Sequence, residues 1–299
     1  MPRRKKNFSR YVFIALIFFV FFLLLKWLFA SCQDQVEVSK DKLLSFSIPG
    51  QIDFAGETVP LDLFYVREAW EKDFLLLLGQ EYQSILYLKR SQKYFPFIEA
   101  EIKKLSLPDD LKYIAVAESG LLENAVSSAG ALGIWQFMPG TARDRGLIVD
   151  KNIDERKNFE KSTIAALGYL QFLYDQFHNW TLATASYNAG HNRIKDSVEK
   201  QKVENYYSLY LNKETSRYLF RILAIKEIMQ NPEKYGLFLS SRDYFSWPDY
   251  QAVSTGKIDA LETWSRSQGS NLKLIKELNP WILGNELPEG NWSLKILKL

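Results

Sequence analysis

Between Asp109 and Ser119 the sequence DDLKYIAVAES sets Leu111, Ile114 and Ala115 at the spacing of one helical face, and the next position on that face is Glu118. A carboxylate there points where the apolar side chains point, toward protein interior or the wall of a cleft. Ser119 and Gly120 follow at once, and Gly120 suits the left-handed residue that ends a helix. Desolvation on an apolar face and the negative end of the helix dipole both disfavour the charged form of Glu118. Two readings fit: a general acid held neutral in a site, or a core-edge glutamate paired with one of the chain's many Lys and Arg residues.

The stretch that follows has an unusual composition. Ser127, Ser128, Ala129, Gly130, Ala131, Gly133 and Gly140 leave room for backbone to approach a ligand closely, and Trp135, Gln136, Phe137 and Met138 sit among them. Flat faces and an amide of this kind can stack on and hydrogen-bond a pyranose. A tight helical hairpin packed through small residues reads equally well.

Elsewhere the periodicity is helical, and the chain is expected to be mainly α. One helix is expected over 63–79 and one or two over 80–104, with Pro96 in a turn or a first turn. Ser106 is expected to cap the central helix, with Pro108 in its first turn. A loop from 144 leads to a cap at Ser162, then a helix with Ala166, Leu167, Leu170, Leu173, Tyr174 and Phe177 on one face. Helices over 180–190, about 192–201, and from a cap at Asn212 or Thr215 to Gln230 follow; the last carries the stripe Tyr218, Ile222, Ile225, Met229. Beyond Tyr235 a Pro/Ser/Trp-bearing connection precedes a small α+β unit at 250–299, read as strand, helix (258–268), helix (271–278) and strand (292–298).

The 299 residues allow one substantial core, and 47% hydrophobic content with 8 Trp, 16 Tyr and 20 Phe argues for a folded, aromatic-rich protein. The formal charge of +3 misleads. Residues 1–32 hold six basic residues and no acid; removing those six from 38 leaves 32 basic against 35 acidic, a balance of −3. Nucleic acid as a partner finds no support there. Arg3, Arg4, Lys5 and Lys6 precede the apolar run Tyr11–Leu25, so 1–32 is expected to target a membrane with its basic end in the cytoplasm. It is either an uncleaved anchor of roughly 20 residues or a lipoprotein signal ending at Cys32, and 33–59 reads as a tether. With one cysteine and two unrelated histidines, no disulfide, metal or cofactor is expected, and no Ser/His/Asp or Cys/His arrangement is credible.

Four ordered motifs now matter together: AESGLLENAVSSAGALGIWQFMPGTA from 117, SYNAG at 186–190, ETSRYLFRILAIKEI at 214–228 and NPEKYG at 231–236. With the 154–183 stretch between them, they resemble the lytic transglycosylase domain related to goose-type lysozyme, over roughly 60–236 with a core of about 92–232. The resemblance implies a lysozyme-like helical catalytic domain, monomeric, acting on peptidoglycan glycan strands in the bacterial cell envelope. It implies that Glu118 is the sole acid and base: it protonates the oxygen linking MurNAc to GlcNAc, then takes the proton of the C6 hydroxyl that closes a 1,6-anhydro ring. By the same resemblance Ser119 orients the site, Gln136 and Met138 line sugar subsites, Tyr187 and Asn188 contact the sugar beside the cleaved bond, and Tyr218 hydrogen-bonds Glu118. Ser186 and Leu121 depart from the usual pattern, where Ala and an aromatic are common.

KLIKELNPWILGNELPEGNWSLKI (273–296) resembles a peptidoglycan-binding LysM module; a cap that stabilises the catalytic domain is the alternative for 250–299. For the whole chain the rivals are a hydrolytic muramidase, with Asp144, Asp150, Asp154 or Glu155 positioning a water, and a catalytically silent peptidoglycan-binding scaffold.

Overall fold

The computed structural model describes residues 49–298. The apolar run at 11–25, Cys32 and most of the expected tether lie outside the described residues. Among the described residues no helix is long and apolar enough to cross a membrane.

The last part of the expected tether is built into the fold. Asp53–Phe54 (β1) and Glu57–Thr58 (β2) pair as an antiparallel hairpin whose Phe54 is fully buried. Its polar atoms meet elements far away in sequence. The Ala55 amide donates to Asp110 at 2.7 Å, and Lys226 bridges Asp110 and the Asp53 carbonyl. Glu57 accepts from the Thr181 amide at 3.1 Å and from that of Trp180, placing a carboxylate on a helix N-terminus. A polar sequence without periodicity hid this, because the hairpin is held by its partners rather than by an apolar pattern of its own.

Eight helices run from Phe64 to Gln230. Phe64–Leu78 (α1) and Glu81–Lys104 (α2) are joined by a short turn, and Pro96 lies inside α2 rather than at its start. Asp109–Leu111 is a 3-10 turn leading into Lys112–Ser119 (α3). Ser106 does not cap it: Ser106 has φ +56° and lies in the connection, and the turn begins after Pro108. Pro139–Asp144 (α4) is short. Phe159–Phe177 (α5) begins three residues before the expected cap, because Asn158 accepts from the Lys161 amide; Ser162 is buried in its first turn. Trp180–Ala189 (α6), His191–Gln201 (α7) and Lys213–Gln230 (α8) match the expected spans, and Asn212 caps α8 through the Glu214 and Thr215 amides.

The core forms where α1 and α3 pack against α8. Trp70 stacks on Phe74 at 5.2 Å, and Tyr218, Ile222 and Ile225 are buried from the other side; Ile228 rather than Met229 completes that stripe. Asp73 of α1 pairs with Arg217 of α8 at the rim. A second layer is α5 on α6.

Tyr250–Thr255 (β3) and Trp292–Leu297 (β4) pair antiparallel, from Tyr250 with Leu297 to Thr255 with Trp292. Leu261–Ser267 (α9) and Leu272–Leu278 (α10) lie between them in sequence, the expected order. This unit is docked on the loop before α5. Ile153 bridges Ile282 and joins its core beside Trp281, Trp292, Leu294 and Ile296; the Asp154 amide donates to the Trp281 carbonyl at 2.9 Å, and Lys295 pairs with Glu160 at 2.6 Å.

Candidate active site

α3 ends at the site because Gly120 adopts φ +62°, ψ +30° and its amide closes on the Val116 carbonyl. A Cβ at Gly120 would stand 2.9 Å from the Tyr87 ring and 3.4 Å from Gln83 and Arg90, so glycine lets α2 close over the helix end. Arg90 donates to the Gly120 carbonyl at 2.9 Å. The last turn of α3 therefore sets Glu118 beside the α2 contacts of Gly120 and against Tyr218 of α8.

Glu118 is partly buried, and the hydroxyl of fully buried Tyr218 donates to its Oε1. Burial pushes the Glu118 carboxyl up to about 7; the Tyr218 hydrogen bond and the Arg221 charge pull down, and Glu214 adds a small push up. The Tyr218 phenol lies well above its ordinary value, through burial and then the Glu118 charge, so it stays a donor. Tyr187 is raised in the same way, with Glu118 the nearest charge acting on it, and its hydroxyl donates to the Trp135 carbonyl at 2.8 Å. The alternative of a glutamate neutralised by a basic partner does not describe this geometry: Glu118 forms no ion pair among the described residues, and a phenol holds it instead.

The small-residue stretch is a loop, not a helical hairpin. It is folded by isolated bridges between Val126 and Leu132 and between Leu132 and Phe137. Gly133, at φ +86°, carries it past the Arg156 carbonyl, which a Cβ would meet at 2.0 Å. Buried Arg156, paired with Asp154, donates to the Gly130 carbonyl at 3.0 Å and that of Phe137 at 3.1 Å. Ser119 Oγ donates to the Ile134 carbonyl at 2.8 Å and receives the Leu122 amide at 3.2 Å. Ser119 thus tethers the loop to the residue beside the acid.

The other expected site residues fall as follows. Gln136, at φ +49°, spends its amide hydrogens on the Ala125 and Gly133 carbonyls, at 3.0 and 2.8 Å. Its geometry is that of a loop brace. Met138 is 43% exposed just before α4, open to a ligand. Tyr187 and Asn188 end α6; Asn188 Oδ1 receives the Thr215 hydroxyl at 3.0 Å, which ties the end of α6 to the start of α8. Tyr218 meets Glu118 directly, Ser119 and Tyr187 hold the adjacent loop carbonyls of Ile134 and Trp135, and Gln136 and Asn188 brace the loop and the end of α6. Sequence reasoning passed over Gln83, Tyr87, Arg90 and Arg221. The first three lie in a helix with no motif; Arg221 is one helical turn beyond Tyr218, and that spacing was a usable signal.

Three of the four other candidate acids are committed. Asp154 is paired with Arg156, and Glu155 binds the Lys161 ammonium and the Ile148 amide. Asp150 accepts from the Asn152 and Ile153 amides, and Asp144 is exposed on α4. Glu123, raised by burial, faces Lys93, Lys295 and Tyr94. Among the described residues no group of His, Cys, Asp and Glu could hold a metal ion.

Residues 95–209 match the family model described as "Transglycosylase SLT domain". The resemblance expected from the ordered motifs is thus found, and the match spans Glu118, the loop and SYNAG. "Membrane-bound lytic murein transglycosylase D" of Escherichia coli K12 is 35% identical over 159 residues, which is 52% of this chain and 35% of that protein. The same figures hold for the protein of that name in E. coli O6:H1. The chain therefore spans about a third of the length of these curated relatives. Two solved structures align at 23% identity over 51% of this chain and 26% of theirs. They are the 70 kDa soluble lytic transglycosylase of E. coli, TM-score 0.41, and an inactive mutant of lytic transglycosylase Slt from Pseudomonas aeruginosa, TM-score 0.37. At those scores the likeness carries no argument about this fold.

Proposed function

We propose that this chain is a lytic transglycosylase of peptidoglycan, cleaving the β-1,4 bond between MurNAc and GlcNAc without water and leaving 1,6-anhydroMurNAc ends. The observation that carries this is Glu118: one carboxyl, pushed up to about 7 by burial and hydrogen-bonded by a buried phenol. A general acid works best with its pKa near the working pH, and the same group must serve as base one step later. Neutral Glu118 gives its proton to the glycosidic oxygen as the bond to C1 breaks. The carboxylate left behind takes the proton of the C6 hydroxyl as that oxygen bonds C1, which restores the acid. Throughout, the Tyr218 hydroxyl donates to Glu118 and steadies the charged form between the two transfers.

Ordinary glycosidases need a second carboxylate, as nucleophile or as the base for a water. Of the four acids that could position a water, Asp154 and Glu155 are ion-paired, Asp150 accepts backbone amides and Asp144 faces solvent, which favours the ring closure over hydrolysis. Substrate would lie along the loop at 127–138, with Met138, Tyr187 and Asn188 toward the sugars. The basic and apolar N-terminus and the relatives' names support a place in the cell envelope, attached to the membrane through 1–32, as anchor or through Cys32. Domain limits of 60–236 for the catalytic part and 250–299 for the small unit belong to the same proposal.

Mass spectrometry of purified sacculi digested with the protein tests the reading. Anhydro-muropeptides are the expected product, and their loss in Glu118→Gln assigns the acid. Reducing-end MurNAc in their place would instead establish a muramidase, and turnover insensitive to Glu118→Gln would leave only the scaffold.

A further inference from the structure

The helices α2 and α8, which flank the end of α3, carry three arginines, and two are occupied. Arg217 is paired with Asp73, and Arg90 donates to the Gly120 carbonyl. Arg221 forms no ion pair among the described residues, although it is exposed and sits on the helix that carries Tyr218. Its guanidinium lies 5.6 Å from the centre of the Tyr218 ring, whose hydroxyl holds Glu118. On the α2 side, Tyr87 hydrogen-bonds Gln83 and feels the charges of both Arg221 and Arg90. The corner beside the acid is thus polar, open and cationic, with one guanidinium uncommitted.

The glycan backbone of peptidoglycan is neutral. Its negative charge is carried by carboxylates at the 3-position of the muramic ring, on the lactyl ether or on the peptide attached to it. We propose that Arg221 anchors such a carboxylate of the muramic residue bound at Glu118, and so makes the cleft selective for charged strands; this rests on the peptidoglycan reading above. A guanidinium offers paired donors that match a carboxylate, and the pairing strengthens as the cleft loses water. Left alone, the Arg221 charge favours the deprotonated state of Glu118, which works against an acid. Paired with substrate, it stops doing so.

The test compares wild type with Arg221→Gln on four preparations of glycan strands. These are strands bearing peptide stems, strands stripped by an amidase to free lactyl carboxylates, and each of the two with its carboxylates converted to neutral methyl amides. Release of anhydro ends gives kcat/KM for each. Wild type is expected to favour charged over neutral strands by about tenfold, and R221Q to abolish that preference. The pair in which the preference appears, stems or stripped strands, identifies the carboxylate. An unchanged preference in R221Q, or none in wild type, overturns the proposal. Each preference is a ratio of kcat/KM values measured with one and the same enzyme sample, so partial unfolding of the variant does not imitate it. Absence of anhydro ends from every substrate with wild type sinks the parent reading instead, and is told apart by that.

Discussion

At the scale of single residues, the proposed chemistry turns on Glu118 and Tyr218. A free-enzyme acid with a midpoint near 7 makes kcat/KM fall as pH rises through that value. Tyr218→Phe removes the hydrogen bond that lowers the Glu118 pKa, so the fall moves to higher pH, and activity drops by about tenfold from the lost stabilisation of the carboxylate. A rate-versus-pH profile of anhydro release reads both. The same shift predicts a stability effect. Between the ordinary glutamate value of 4.5 and about 7, the folded chain holds a proton that the unfolded chain has released, so stability falls as pH rises across that window. Glu118→Gln cannot titrate; it is expected to melt like wild type at pH 4.5 and to be more stable by about 1–3 kcal/mol at pH 8. Thermal melts at the two pH values decide it.

At the scale of elements, the loop at 120–138 is held by buried Arg156, Ser119 and Gln136 rather than by regular hydrogen bonding. Gly133→Ala places a Cβ where the Arg156 carbonyl stands and asks an alanine to adopt φ +86°. Loss of about 2 kcal/mol or more is expected, with a fall in activity beyond what the fraction unfolded explains. The hairpin at 53–58 gives a second test. Glu57 satisfies the first amides of α6, so Glu57→Ala is expected to cost about 1–2 kcal/mol in chemical denaturation. No effect would mean that the hairpin is not part of the folded unit.

Over the whole molecule, the small C-terminal unit shares its core with the helical part through Ile153, which is fully buried. Ile153→Ala is expected to cost about 2–4 kcal/mol and to lower a single melting transition. Two separate transitions would show that the unit folds independently, as a detached binding module does. The packing supports the capping role. The strand–helix–helix–strand order that suggested a LysM-like module is also present, so a glycan pull-down with the intact protein remains the measure of binding there.

Sequence alone determined the helices whose apolar stripes are regular: α5 and α8 could be drawn from periodicity, because burial of one face is what periodicity records. It also placed Glu118 on an inward face and ended its helix at Gly120, since both follow from local backbone geometry. Starts were less legible. Ser162 and Asn158 are both good caps, and only the packing of Phe159 into the core decided between them. The loop at 127–138 could have been a hairpin of helices, because small residues permit either; the Arg156 side chain, about twenty residues further on, selects one. Residues 53–58 and the α2 residues Gln83, Tyr87 and Arg90 carry no sequence signal of their roles, which come from partners distant along the chain. Tertiary structure alone turned an inward-facing glutamate into a desolvated acid under a phenol with an uncommitted arginine beside it, because desolvation and charge depend on which elements meet.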